Sequence, residues 1–344
     1  MLDLESELLA LRSVSANIGA NPMLIQAAGG NTSIKDGEVM WIKASGTQLA
    51  EANDKDIFVS VDLPEIRASV QASEARADRP AEFLLTKGGL RPSIETSLHA
   101  VFSQRVVMHA HCVHTLAYAV QKDCEQLLEG PLTGLNWALV PYVKPGANLA
   151  NLVAEVVKDA VNVVVLQNHG IIVAGDTVEE THALLIDVHQ RLRIDPATSQ
   201  NADLAALNTL AENSEYTLPD YTPLHQLALS TARVKQATTG SLYPDHVLFC
   251  GIGATALKAG ETPAEAVKRV MSAGAPAPVF LIAPGVGVLV RKDASATNRA
   301  LTRCLIDVLI RVPDEASLSY LTPEQNFELL DWDAEKYRAA LNAD

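Results

Sequence analysis

Residues 106–119 read VVMHAHCVHTLAYA and hold three of the chain's nine histidines, His109, His111 and His114. The apolar run Val106-Val107-Met108 predicts a buried strand. In a strand, side chains two apart point to one face. His109 and His111 therefore project side by side, an arrangement that suits two imidazoles on one metal ion. His114 falls outside the alternation and opens a helix, "HTLAYAVQ". Cys112 lies between the histidines, but alternation turns it to the opposite face. A His-x-His pair alone is equally a pair of hydrogen-bonded core residues, so further ligands have to come from elsewhere in the chain.

Working outward, residues 2–20 form a helix with leucines at helical spacing. "IQAAGGNTSIKDGEVMWIKASGTQLAE" follows as a strand, an Asp-Gly hairpin, a second strand and an "ASGT" loop. "IFVSVDL" is another strand, and residues 65–79 a polar, Ala-rich excursion. "SIETSLHAVFSQ" is a helix with Ser93 as N-cap and Glu95 in its first turn. After the histidine strand come a helix, the strand and helix of "GLNWALVPYVKPGANLANLVAEVVKDA", two strands around a tight turn in "VNVVVLQNHGIIVAGDT", and a long helix over 178–195. Strands mixed with helices and joined by hairpins predict an α/β protein, layered α/β/α with a central, mostly antiparallel sheet.

Residues 194–240 carry no clear strand. The expected division is a catalytic domain at 1–205 and a smaller C-terminal α/β domain at 206–344. The second resembles a degenerate copy of part of the first. "VVVLQNHGIIVAGDTVEETHALLIDVHQRL" and "VFLIAPGVGVLVRKDASATNRALTRCLIDVLI" share a strand-turn-strand-helix pattern, with Gly170 paired to Gly285 and His169 to Pro284.

The chain has 344 residues, 48% hydrophobic and 20% charged, ample for a sizeable core. A net charge of −14 excludes a generic nucleic-acid surface but not a small anionic ligand held by backbone N–H groups. Four scattered cysteines without a CxxC read as reduced thiols. The acidic start lacks the basic and apolar regions of a signal peptide. No apolar run reaches membrane-spanning length. The expectation is a cytoplasmic protein.

"LQNHGIIVAG" supplies a third histidine, His169, at a strand end beside Gly170. Three neutral nitrogen donors define an open zinc site, with Glu95 as the nearest candidate carboxylate. "AAGGNTSIK", "KASGT" and "PS" at 92–93 are small-polar turns able to expose N–H groups and hydroxyls to an anion. "GIGATA" at 251–256 lacks the full dinucleotide fingerprint, which removes the case for a redox enzyme.

Gly-Asn-x-Ser, Ser-Gly, Pro-Ser-x-Glu, His-x-His and Asn-His-Gly, in this order, resemble the class II aldolase/adducin family over residues 5–200. That family includes L-fuculose-1-phosphate and L-rhamnulose-1-phosphate aldolases and ribulose-5-phosphate 4-epimerases. "GGNTSIK", "WIKASGT" and "PSIETSLHAVF" look closest to the aldolase part of bifunctional rhamnulose-1-phosphate aldolase/dehydrogenase proteins. The resemblance implies Zn2+, or another divalent metal, on His109, His111 and His169. It implies Glu95 as acid/base, Tyr142 in "PYVKPG" as proton donor, and Gly30, Asn31, Ser45, Gly46 and Ser93 as ligands of a sugar phosphate or sugar acid. It also implies a homo-oligomer, commonly a tetramer. Ser93-Ile94 stands where many relatives have Ser-Ser. Lys35 and Lys43 then either compensate for the lost hydroxyl or are solvated strand lysines. His99, one helical turn after Glu95, and His114 read as supporting or packing residues. The implied activity is a zinc-dependent aldolase. An epimerase or decarboxylase would use the same site, and a non-catalytic adducin-like interaction module is the reading from another class.

Overall fold

The computed structural model describes residues 3–86, 88–197 and 201–331. They form two compact units. The first comprises residues up to Ala119 and Cys124–Arg193; the second comprises Val120–Asp123 and the chain from Ile194 onward. The division thus falls at Arg193, ahead of position 205. Val120–Asp123 joins the second unit because Lys122 N–H donates to Ser317 O and Ser319 N–H to Val120 O.

The first unit holds β1 (Asn31–Asp36), β2 (Val39–Lys43), β3 (Phe58–Asp62), β4 (Val106–Ala110), β5 (Trp137–Val140), β6 (Val163–Leu166) and β7 (Gly170–Gly175). Its helices are α1 (Leu4–Gly19), α2 (Leu63–Gln71), α3 (Thr96–Ala100), α4 (Val113–Ala119), α5 (Cys124–Glu129), α6 (Ala147–Val156) and α7 (Val178–Arg191). The seven strands lie in the order β3-β2-β1-β4-β7-β6-β5. Every pair is antiparallel except β5 with β6. Gly37, with φ +57°, makes the hairpin turn between β1 and β2 that "KDGE" signals.

Strand alternation sorts the core into two layers. Ile34, Met108, Ala110, Val165 and Val173 face α1 and α7, meeting Leu11, Leu185 and Val188. On the other face, Val107, Val164 and Ile172 meet Leu98, Leu149 and Val153, from α3 and α6. Met40 and Ile42 pack there with α2. This is the expected α/β/α arrangement. β1 departs from an apolar strand. Asn31, Ser33 and Lys35 alternate toward the α3 layer and are all buried.

The second unit holds β8 (Tyr216–Thr217), β9 (Thr255–Ala256), β10 (Phe280–Ala283) and β11 (Gly287–Arg291). Its helices are α8 (Leu204–Ala211), α9 (Thr231–Thr239), α10 (Pro244–Cys250), α11 (Pro263–Ser272), α12 (Ala296–Leu309) and α13 (Pro323–Leu330). Its strand order β8-β11-β10-β9 has the same sequence of directions as β4-β7-β6-β5. In both hairpins the last residue of the first strand pairs with a glycine, Leu166 with Gly170 and Ala283 with Gly287. Those glycines share a φ of +158° and +157°. The register therefore aligns Gly170 with Gly287, not Gly285, and His169 with Val286, not Pro284.

Candidate metal centre

The histidine strand does what its alternation predicts. His109 is the penultimate residue of β4, His111 follows two residues on, and their Nε2 atoms are 3.1 Å apart. His169 arrives from the β6–β7 turn. Asn168 adopts a left-handed φ of +55° there, and a Cβ on Gly170 would sit 2.4 Å from the Ala110 carbonyl oxygen. Only glycine lets this turn press against the end of β4. Nitrogen atoms of His109, His111 and His169 then lie within 4.8 Å of one another, all three residues buried. Theirs is the only such cluster among the described residues.

Glu95 completes the cluster. Its Oε1 is 3.3 Å from His169 Nε2 and 3.5 Å from His109 Nε2. Its Oε2 accepts a 2.6 Å hydrogen bond from Asn31 Nδ2, which also donates to Ser93 Oγ at 3.1 Å. The sheet explains this convergence: Asn31 and His109 are register partners on β1 and β4. They sit side by side on one face and take one carboxylate oxygen each. Burial alone would raise the Glu95 carboxyl. His109, His169 and His111, with the Asn31 amide, outweigh it and hold the group down to about 2.

The donor set fits a divalent cation. His109 Nδ1 lies 3.0 Å from the Ile171 carbonyl oxygen, so Nδ1 carries the proton and Nε2 keeps its lone pair for the cluster. Three imidazoles with a carboxylate at their rim suit zinc, which takes nitrogen ligands and tolerates an open fourth position.

Backbone bonds tie the small-polar turns at 43–47 and 91–93 to one another. Ser45 N–H donates to Arg91 O, and Ser93 N–H to Lys43 O, which sets the 91–93 segment beside the end of β2. Gly30, at φ +61°, packs where a Cβ would meet Ile25 Cδ1 at 2.3 Å and the His109 carbonyl at 2.8 Å. Gly46 turns at φ +78° directly after Ser45. Tyr142 lies in the connection from β5 to α6, with its hydroxyl buried.

Some expectations need correction. α3 starts at Thr96 with Glu95 itself in the N-cap position, so Ser93 is not the cap. Ser93 Oγ instead accepts from the Glu95 N–H, forming a turn that aims the carboxylate. Lys35 and Lys43 are not solvated strand lysines. Lys43 Nζ donates to the carbonyls of Ala28 and Gly30 at 2.9 and 3.0 Å, pinning the turn before Asn31. Lys35 donates to Gln104 O, and burial, then Arg67, push its ammonium well below the usual lysine range. Cys112 turns away from the cluster, its Sγ 3.3 Å from His189 Nδ1. The His114 ring stands 4.9 Å from the His189 ring. Gly29, in the small-polar turn of "AAGGNTSIK", has a further role as a neighbour of the cluster: a Cβ there would meet His111 Nδ1 at 2.9 Å. The sequence marks it as a turn residue, but its closeness to His111 depends on the fold.

Residues 15–195 match the family described as Class II Aldolase and Adducin N-terminal domain, and the chain belongs to that family. It is 29% identical over 188 residues to a protein of Bacillus subtilis named "Uncharacterized oxidoreductase YuxG", covering 50% of this chain but only 27% of that protein. It is 26% identical over 166 residues to an L-fuculose phosphate aldolase of Methanococcus maripaludis strain C7, covering 46% of this chain and 79% of the aldolase. Among solved structures, the N-terminal class II aldolase domain of a conserved Thermoplasma acidophilum protein aligns with a TM-score of 0.50 at 26% identity, over 56% of this chain and 94% of that one.

Proposed function

We propose that the chain is a zinc-dependent aldolase that cleaves or forms a C–C bond in a ketose phosphate or related sugar acid. The observation that carries this reading is the convergence of three buried imidazoles and one ionised carboxylate on a single point. His109, His111 and His169 would hold the metal. When bound, the divalent cation supplies a Lewis acid for the negative charge that develops beside a carbonyl. Glu95, held on one oxygen by Asn31, uses the other to take the proton of the aldol hydroxyl. The C–C bond breaks, an aldehyde leaves, and the bonding electron pair stays with the ketone fragment. Tyr142 returns a proton to that fragment. Gly30, Asn31, Ser45, Gly46 and Ser93 bind the substrate anion through N–H groups and hydroxyls, and Lys43 steadies the turn that carries the first two. The reading extends to a cytoplasmic homo-oligomer, a tetramer by family resemblance. The second unit is then a metal-free copy of the β4–β7 half.

The test is metal content of the purified protein beside His109→Ala, followed by aldehyde release from ketose 1-phosphates. One zinc per chain, lost in the variant, together with zinc-dependent release supports the reading. No metal after incubation with zinc refutes it. Metal binding with epimerisation or carbon dioxide release in place of aldehyde moves the chain to another reaction at the same site.

A further inference from the structure

β1 and α3 are joined by more than the Asn31–Glu95 contact. Two residues along the strand, Ser33 Oγ lies 2.7 Å from His99 Nδ1. One turn along the helix from Glu95, the His99 N–H donates to the Glu95 carbonyl. Two residues further, Lys35 Nζ donates to Gln104 O at 2.8 Å, just past α3. The period-two face of the strand thus meets α3 and the segment after it in successive polar rungs: Asn31 with Glu95, Ser33 with His99 four residues on, and Lys35 with the Gln104 carbonyl.

These rungs are costly. Ser33 and His99 are fully buried, and His99 Nε2 has no hydrogen-bond partner. An apolar pair would pack there without that penalty. α3 has only five residues, too few to hold its own orientation. Ser97 Oγ also donates to the Ala77 carbonyl at 2.6 Å, and at the far end Arg67 donates to the carbonyls of Ala100 and Phe102. The Ser33–His99 rung is the one that ties α3 to β1 next to the Asn31–Glu95 contact.

We propose that Ser33 and His99 are positioning residues. They fix the start of α3 against β1 so that Asn31 holds Glu95 Oε2 and Oε1 faces the imidazoles. This inference rests on the reading that Glu95 works beside a metal held by those imidazoles. Neither residue touches the cluster's converging atoms; both act through the carboxylate.

Cobalt(II) replaces zinc as a visible probe of the carboxylate, read without turnover. The proteins are wild type, Glu95→Gln, Ser33→Ala, His99→Leu and His99→Asn. Ser33→Ala removes one oxygen and keeps the packing, so it reports even where His99→Leu folds poorly. His99→Asn keeps a polar group near the Nδ1 position. The expected result is a cobalt band in Ser33→Ala and His99→Leu displaced toward that of Glu95→Gln, with His99→Asn returning toward wild type. Cobalt stoichiometry stays at one. With active substrate, kcat falls ten- to hundredfold while KM moves less than twofold. Wild-type spectra in Ser33→Ala and His99→Leu, beside a displaced Glu95→Gln spectrum, overturn the proposal. An unmoved Glu95→Gln spectrum overturns the proposal while leaving the metal site standing, and failure to bind cobalt overturns it together with the metal reading. Displaced spectra without aldehyde release leave the positioning role standing and refute only the aldolase reading.

Discussion

Asn31 is the residue on which the carboxylate geometry turns, and substituting it tests the electrostatics directly. Its 2.6 Å contact to Glu95 is a buried hydrogen bond to an ionised group. Losing such a bond costs about 1.5–3 kcal/mol, because the carboxylate oxygen stays buried without its donor. Asn31→Ala should therefore lower the stability of the chelator-treated protein at pH 7 by about 2–3 kcal/mol, or about 4–12 °C in Tm for a unit of this size. Asn31→Asp keeps the shape and reverses the polarity. Two carboxylate oxygens at 2.6 Å would repel by about 6 kcal/mol at an effective dielectric near 20. One of the pair takes up a proton instead, and its folded-state pKa rises above the unfolded value. The native state then binds more protons than the unfolded state, so stability falls as pH rises above about 4.5. Urea unfolding followed by circular dichroism from pH 4 to pH 8 reads both effects. Asn31→Asp should approach wild type at pH 4 and fall below Asn31→Ala at pH 8. A loss under about 0.5 kcal/mol in Asn31→Ala, or a pH-independent Asn31→Asp, refutes the assignment.

Other predictions concern the surroundings of the cluster and the second unit. Gly29→Ala should push the His111 ring aside and weaken zinc binding about 10–100-fold, measured by competition with a chromophoric chelator; unchanged affinity contradicts the close approach. Lys43→Met leaves the Ala28 and Gly30 carbonyls without their charged donor and should cost about 1–3 kcal/mol in thermal unfolding; a neutral result would mean the turn stands without it. His246 is fully buried, and burial lowers its pKa from 6.5 to about 4. Its folded-state pKa is depressed, so stability is undiminished above pH 6.5 and falls by about 3 kcal/mol as pH drops to 4. His246→Leu should flatten that part of the pH profile, and an unchanged acid limb would exclude His246 as its source.

The parts of the fold written in strong local patterns were legible. Val106-Val107-Met108 announces a buried strand, Asp36-Gly37 a hairpin, and the leucines of residues 4–19 a helix against the core. The histidine pair follows from alternation, and His169 from its glycine. What escaped depends on partners distant in sequence. β8 is two residues long and exists only because Val290 and Arg291 pair with it. Lys35 and Lys43 look solvated by residue type, yet carbonyls supplied by other segments take their charges. The Ser33–His99 rung needs a strand period and a helix period read together, across 66 residues of chain.

The second unit shows why hairpin topology alone does not make a metal site. With Gly170 set on Gly287, Val286 stands where His169 presents its ring. Continuing the β8–β11 register past Thr217 brings Leu218 and Asp220 to the positions of His109 and His111. Its one buried histidine at this hairpin, His225, comes from outside the strands. Its Nδ1 accepts from the Val288 N–H, so that nitrogen's lone pair is already used. His109 does the reverse, donating from Nδ1 to the Ile171 carbonyl and turning Nε2 toward His111 and Glu95. Equivalent hairpins thus meet an imidazole whose Nδ1 accepts from the backbone in the second unit and one whose Nδ1 lies against a backbone carbonyl in the first. The chemistry lies in which atom of the ring the backbone occupies, and that is set by residue choice at a few register positions.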